Sequence, residues 1–126
     1  MANKSAPKAP KMPSKIKIGS QVYSIYERHI SEDSGLSDSH AYTYTNGNFI
    51  VVNKDLNVQL QRRYLMHELL HAVIHVFGQN DKAGKDERTD TEDNLEHWFV
   101  YLMQEPMVML LRENPELVAF ITSEVL

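Results

Sequence analysis

The sequence predicts an α+β fold, in which a small antiparallel sheet is followed by a long central helix and one or two further helices. In the first half of the chain, β-branched and aromatic residues alternate with polar ones between turn residues, which is typical of short strands. In the second half, apolar residues recur every three or four positions, which is typical of amphipathic helices. A chain of 126 residues is long enough for one domain with a modest core.

The strand pattern predicts two hairpins, with strands over residues 16–18, 22–26, 41–44 and 49–53. Gly19-Ser20 separates the first two strands, and Asn46-Gly47 lies between the last two. Asn-Gly is a strong hairpin signal because both residues tolerate a positive φ. The polar stretch 32–39 between the hairpins is predicted to be a loop.

Three helices are predicted, over residues 55–77, from about residue 90 onward, and over residues 115–124, with a polar loop at 79–88. Pro106 is expected to interrupt or kink the second helix, because proline lacks the amide donor of its turn. Asn114 precedes Pro115 and is expected to cap the third helix. One face of the second helix is expected to be apolar and carries Leu95, Phe99, Leu102 and Met103.

The charge distribution separates a basic N-terminal segment from an acidic remainder. The net charge is −4, but residues 1–17 contain five lysines and no acid, so the rest carries −4 − 5 = −9. The segment 1–14, which is also rich in proline, is predicted to be a disordered tail, and residues 15–126 are predicted to form the domain. An acidic core argues against a nucleic-acid-binding surface on the folded domain.

The composition also limits the cellular compartment and the types of metal ligand that the chain can supply. The chain has no cysteine, so disulfides and thiolate metal sites are excluded, and any metal must be held by histidine or carboxylate. The sequence carries no signal-peptide core and no apolar run of membrane-spanning length. We therefore expect a cytoplasmic protein that does not contact a membrane. Composition leaves its oligomeric state open.

The motif that carries chemistry is His67-Glu68-Leu69-Leu70-His71 on the first predicted helix. Residues four apart lie about 40° apart around a helix and one turn along it, so both imidazoles can reach one metal ion. Zinc accepts imidazole nitrogen and keeps one position open for water in catalytic sites. Glu68 is placed to take a proton from that water as a general base. The motif therefore predicts one zinc ion (Zn2+) per chain and hydrolysis of a protein or peptide bond.

A third metal ligand is expected from the second helix, where Glu92, Glu96 and His97 are candidates. A glutamate would complete the two-histidine, one-carboxylate set of catalytic zinc. Glu92 also ends a capping box that begins at Thr89, which gives it a structural role at the helix start. Glu96 lies deeper in the helix and is the predicted ligand, while Glu92 and His97 stay open as alternatives.

Other residues near the motif have weaker signals. His75 continues the histidine row by one turn, and we interpret it as a partly buried histidine rather than a ligand. Tyr64, Tyr101 and His97 are candidates for stabilising the oxyanion. A catalytically idle metal-binding protein that acts through a partner is the alternative function, and a hydrolase of non-peptide amides is another. An intact Glu68 favours the enzyme, because a structural site has no need of that base.

These motifs resemble a known family. His67-Glu68-Leu69-Leu70-His71-Ala72, the segment Glu96-His97-Trp98-Phe99-Val100, and the segment from Arg112 to Val118 are similar to those of small phage and prophage metallopeptidases related to the ImmA/IrrE-like zincins. The resemblance implies that the chain has a minimal zincin fold and that it acts on protein substrates. In the family pattern an acidic pair precedes two β-branched residues. Glu96 matches the first acid, and His97 replaces the second.

Overall fold

The computed structural model describes residues 8, 10–78 and 92–125, with side chains on the second helix from residue 95 onward. It contains four strands, a 3-10 turn, a π-helical segment and three α-helices. The strands are β1 (Lys15–Ile18), β2 (Gln21–Arg28), β3 (Ala41–Tyr44) and β4 (Phe49–Asn53). The 3-10 turn, Ser34–Leu36, lies between β2 and β3. The α-helices are α1 (Val58–Val73), α2 (Glu92–Glu113) and α3 (Pro115–Thr122). The π-helical segment Ile74–Gly78 directly continues α1.

The four strands form one sheet in the order β1-β2-β4-β3. Both predicted hairpins are present, since β1 pairs antiparallel with β2 and β3 pairs antiparallel with β4. The α+β fold class is confirmed. The sheet is nevertheless mixed rather than wholly antiparallel, because the central pair β2 and β4 runs parallel, from Ser24↔Phe49 to Arg28↔Asn53. After β2 the chain crosses to the far edge to form β3, so β4 returns beside β2 in the same direction.

Two turn residues adopt the left-handed conformation. Gly19 in the first hairpin has φ 60°, and Asn48 in the second has φ 53°. The positive φ of the second hairpin therefore lies on Asn48 rather than on Asn46-Gly47. The carbonyl of Asn48 accepts from the Ser24 amide at 2.9 Å, and this bond joins the turn to β2.

The helix α1 begins after Asn57, whose side chain accepts from the Leu60 amide at 2.9 Å. This N-cap satisfies a donor that has no partner within the helix. The buried face of α1 repeats at helical spacing and comprises Gln61, Arg62, Leu65, Glu68, Leu69, Ala72 and Val73. The predicted start at residue 55 is too early, because the chain enters the helix only at the Asn57 cap.

The helix α2 continues through Pro106, so the proline does not interrupt it, while the alternative expectation of a kink stays a prediction. Met103, Pro106 and Leu110 are all buried, and their spacing places them on one helix face. Packing of this face outweighs the single hydrogen bond that proline removes. Leu95 and Phe99 of the predicted apolar face are instead 49% and 41% exposed. The predicted loop at 79–88 lies outside the described residues.

Asn114 is the N-cap residue of α3, as predicted, but its side chain makes no capping hydrogen bond to the helix. Its carboxamide instead accepts from the Lys17 amide at 2.8 Å and donates to the Lys17 carbonyl at 2.8 Å. A third bond runs from its Nδ2 to the Leu110 carbonyl at 2.8 Å. Lys17 lies on the edge strand β1, so Asn114 satisfies backbone groups that an edge strand leaves unpaired.

The core lies between the sheet and the helices. Its members are Ile16, Ile18, Tyr23, Ile25, Ala41, Ile50, Val52, Leu65, Leu69, Ala72, Val73, Met103, Leu110, Leu117 and Phe120. The C-terminal segment is joined to α1 by Arg62, which donates to the Val125 carbonyl at 2.7 Å. No helix among the described residues has the length and apolarity needed to span a membrane.

The predicted tail 1–14 falls mostly outside the described residues, so its disorder stays a prediction. In its last part, Met12 packs against the core and Pro13 is buried. The Ser14 carbonyl accepts from the Ile25 amide at 2.8 Å. Residues just before β1 therefore contact the domain.

Candidate metal centre

The amphipathic pattern of α1 gives the motif residues different environments. Glu68 belongs to the buried face of α1 and is only 6% exposed. His67 precedes it by one residue, a rotation of about 100°, and its side chain is 61% exposed. His71 is also exposed. The helix thus presents two accessible imidazoles beside a carboxylate held against the sheet.

The two histidines have the spacing that a shared ion requires. Their Nε2 atoms lie 3.2 Å apart, and the ring centroids are 4.9 Å apart. Two nitrogens bound at about 2.0–2.1 Å to one tetrahedral zinc ion would be roughly 3.3 Å apart. The Nε2–Nε2 separation is therefore compatible with two ligands of a single zinc ion.

Glu68 is oriented by a contact from β3. The Thr43 hydroxyl lies 2.8 Å from Glu68 Oε1 and 3.2 Å from the Glu68 carbonyl oxygen. The other carboxylate oxygen, Oε2, lies 3.9 Å from His67 Nε2. One oxygen is thus held by the sheet while the second faces the histidines.

The structure does not bring the predicted third ligand to the histidines. Glu96 and His97 lie on exposed positions of α2, and the His97 ring stacks on Tyr101 at 6.4 Å. Among the side chains that the structure describes, those of residues 8, 10–78 and 95–125, there is no group of three histidine, cysteine or acidic residues that could hold a metal ion. The side chain of Glu92 and the capping box that begins at Thr89 lie outside the described part of the chain. The assignment of Glu96 as the third ligand stays a prediction.

A comparison with protein families identifies the domain. Peptidase_M78, described as an IrrE N-terminal-like domain, matches residues 27–111, which is 111 − 27 + 1 = 85 of the 126 residues. The chain belongs to this family. The match includes the whole motif from His67 to His71 together with Glu96 and His97, and it confirms the resemblance to the ImmA/IrrE-like proteins. No curated protein and no solved structure gives a significant match.

The Peptidase_M78 match leaves out two elements that pack against the family core. It begins near the end of β2 and stops within α2, so β1 and α3 lie outside it. Lys17 on β1 and Asn114 before α3 are joined by two hydrogen bonds, and Lys17 also forms an ion pair with Glu113 at 2.8 Å. These contacts join β1 to the end of α2 and the start of α3.

Thr43 was not among the functional residues predicted from the sequence. Ala41 of β3 is buried in the core, and side chains of a strand alternate between faces, so Thr43 is directed to the same inner face. A hydroxyl on the inner face of a predicted strand is the sequence signal that could have identified Thr43. Its partner, Glu68, could not be predicted from residue spacing, because the two residues lie on different elements. The oxyanion candidates Tyr64 and Tyr101 are not ranked by the structure and remain predictions.

Proposed function

We propose that this protein is a zinc-dependent peptidase that hydrolyses a protein or peptide bond. The observation that carries the proposal is the 3.2 Å separation of His67 Nε2 and His71 Nε2, beside a buried glutamate, in a member of a peptidase family. His67 and His71 would hold the ion, with Glu96 as the third ligand. Zinc supplies Lewis acidity for the activation of water.

The residues of the chain supply the proton transfer. Glu68 takes a proton from the attacking water and delivers it to the amine that leaves. Its Oε1 accepts from Thr43, so Oε2, on the histidine side, is the oxygen free to receive the proton. Burial of Glu68 limits its rotamers and keeps this oxygen in place.

The test separates metal binding from catalysis. His67→Ala and His71→Ala should each abolish the binding of one zinc per chain, measured by metal analysis and titration, whereas His29→Ala should not. Glu68→Gln should retain zinc and the melting temperature but lose cleavage of a proteome-derived peptide library, because an amide cannot accept the proton. Glu105→Gln, an exposed substitution on α2, is the matched control.

Two results would contradict the proposal. If the wild-type protein stays metal-free in zinc-replete buffer, the proposed metal site is wrong. If the Glu68→Gln variant cleaves peptides at the full wild-type rate, Glu68 is not the general base. A protein that binds zinc through both histidines but cleaves no peptide would fit the alternative, a metal-binding protein that acts through a partner.

A further inference from the structure

A polar cleft lies at the end of the sheet where both hairpins turn. Its volume is about 460 Å³, within the range of roughly 300–1,000 Å³ that is usual for small-ligand sites. Its walls come from the start of β2, the β3–β4 turn and the π-helical segment, and include Gln21, Tyr23, Thr45, Asn46 and His75. Three segments distant in sequence thus supply neutral hydrogen-bonding groups to one space.

The cleft adjoins the candidate metal centre. His75 follows His71 by one helical turn, a rise of about 6 Å. Thr45 follows Thr43 by two residues and lies in the turn directly after β3. Thr43 contacts Glu68, and Thr45 and His75, which follow Thr43 and His71 in the chain, line the cleft, so the cleft adjoins the site formed by Glu68 and His71.

The π-helical segment is held over the cleft by the first hairpin. A Cβ atom on Gly19 would lie 2.8 Å from Phe77 Cζ, so the ring packs directly on the backbone of this turn. Phe77 and His75 belong to the same π-helical segment. Such segments widen a helix and are frequent at functional sites.

A buried hydroxyl in the wall has no partner. Tyr23 is 0% exposed, and its hydroxyl makes no hydrogen bond within the described part of the chain. Burial raises the pKa of the Tyr23 hydroxyl, which keeps it protonated and able to donate. An unpaired buried hydroxyl is unfavourable, so a ligand group that reached it would gain a bond that the free protein lacks.

We propose that this cleft binds a carboxamide side chain, asparagine or glutamine, of the peptide substrate beside the scissile bond. The inference rests on the proposed peptidase function. A carboxamide both donates and accepts, which suits walls made of hydroxyl and amide groups. Among the residues that the structure describes, the lining includes no aspartate, glutamate, lysine or arginine, so a charged side chain would lose water without gaining an opposite charge from them.

The first arm of the test measures binding without catalysis. The full-length, isotope-labelled protein is titrated with N-acetylglutamine N-methylamide and, separately, with its leucine counterpart, while amide signals are followed by NMR. The glutamine compound should shift the signals of Gln21, Asn46 and His75, and the leucine compound should not. Tyr23→Phe should weaken binding about fivefold or more and keep the melting temperature. Tyr26→Phe, an exposed tyrosine of the same strand, should bind as the wild type does.

The second arm profiles cleavage of a proteome-derived peptide library. Asparagine and glutamine should be enriched at one position beside the cleaved bond, and Tyr23→Phe should reduce that enrichment. Cleavage without binding of the glutamine compound at the cleft overturns the inference and leaves the peptidase proposal intact. Equal binding of the leucine compound, or unchanged binding by Tyr23→Phe, also overturns it. Binding at the cleft without Glu68-dependent cleavage overturns the peptidase proposal and leaves the carboxamide site in place.

Discussion

The hydroxyl of Thr43 donates to Oε1 of Glu68 across the interface between β3 and α1, at 2.8 Å. The two residues are 25 positions apart, and the β3–β4 turn, β4 and the first part of α1 separate them in sequence. In the proposed mechanism, Glu68 must hold a fixed orientation for proton transfer. The edge strand β3 therefore helps to orient the carboxylate that we propose as the general base.

Replacement of Thr43 by valine keeps the shape of the side chain and removes the hydroxyl. We expect kcat for peptide cleavage to fall about 10- to 100-fold, because a hydrogen bond to a charged group contributes about 1.5–3 kcal/mol. Zinc affinity should be unchanged, since the hydroxyl bonds to Glu68 and not to the imidazoles. Thr43→Ser, which keeps the donor, should restore most of kcat. Equal activity of the valine and serine variants would show that the contact has no role in catalysis.

The third metal ligand can be identified by three alanine variants measured side by side. Glu96→Ala should reduce zinc affinity by orders of magnitude, because it removes one of three protein ligands. Glu92→Ala should instead lower stability by about 0.5–2 kcal/mol, as expected for a helix-capping residue, and His97→Ala should change zinc affinity little. Zinc titrations and melting curves distinguish these outcomes. If Glu96→Ala binds zinc normally while another variant loses it, the ligand is that other residue.

Asn114 should be one of the most sensitive structural positions in the chain. It is 8% exposed and makes three side-chain hydrogen bonds to the backbone. Asn114→Ala should lower the free energy of unfolding by about 2–4 kcal/mol, because it leaves buried donors and acceptors unpaired. Asn57→Ala, which removes only the N-cap of α1, should cost about 1 kcal/mol. Chemical denaturation of both variants measures the two losses in free energy of unfolding. Equal losses for Asn114→Ala and Asn57→Ala would contradict the role of Asn114 at the sheet edge.

Stability in acid should depend on Asp33. Its Oδ2 accepts from the Tyr42 hydroxyl at 2.6 Å and from Arg28 at 2.9 Å. The hydrogen bond from Tyr42, followed by that from Arg28, lowers the pKa of the Asp33 carboxyl in the folded state. The resulting stabilisation is complete above the unfolded pKa of about 3.9. It is lost as the pH falls through the lower folded pKa.

Tyr42→Phe removes the largest cause of this shift and tests it. The pKa of Asp33 should move back toward its ordinary value, so the free energy of unfolding should vary less steeply with pH below about 4. Tyr44→Phe changes an exposed hydroxyl on the same strand and should leave the slope unchanged. Denaturation curves between pH 2 and 6 provide the measurement, and identical slopes for wild type and Tyr42→Phe would contradict the assignment.

Local features of the sequence predicted the strands and the position of the motif. Side-chain alternation and the turn at Asn46-Gly47 gave both hairpins, because these patterns act over a few residues. Helical spacing placed His67 and His71 on one helix, and the structure brings their Nε2 atoms to 3.2 Å. Both residues belong to a single helix, so its geometry alone determines their separation.

Contacts between distant segments were decided only by the tertiary structure. The parallel pairing of β2 with β4, the continuation of α2 through Pro106 and the use of Asn114 at the edge of β1 all depend on packing that outweighs local preference. The same holds for Thr43, which meets Glu68 only because the register of β3 and β4 directs it to α1. Periodicity reports which face of an element is buried, whereas the partner on the other side depends on the path of the whole chain.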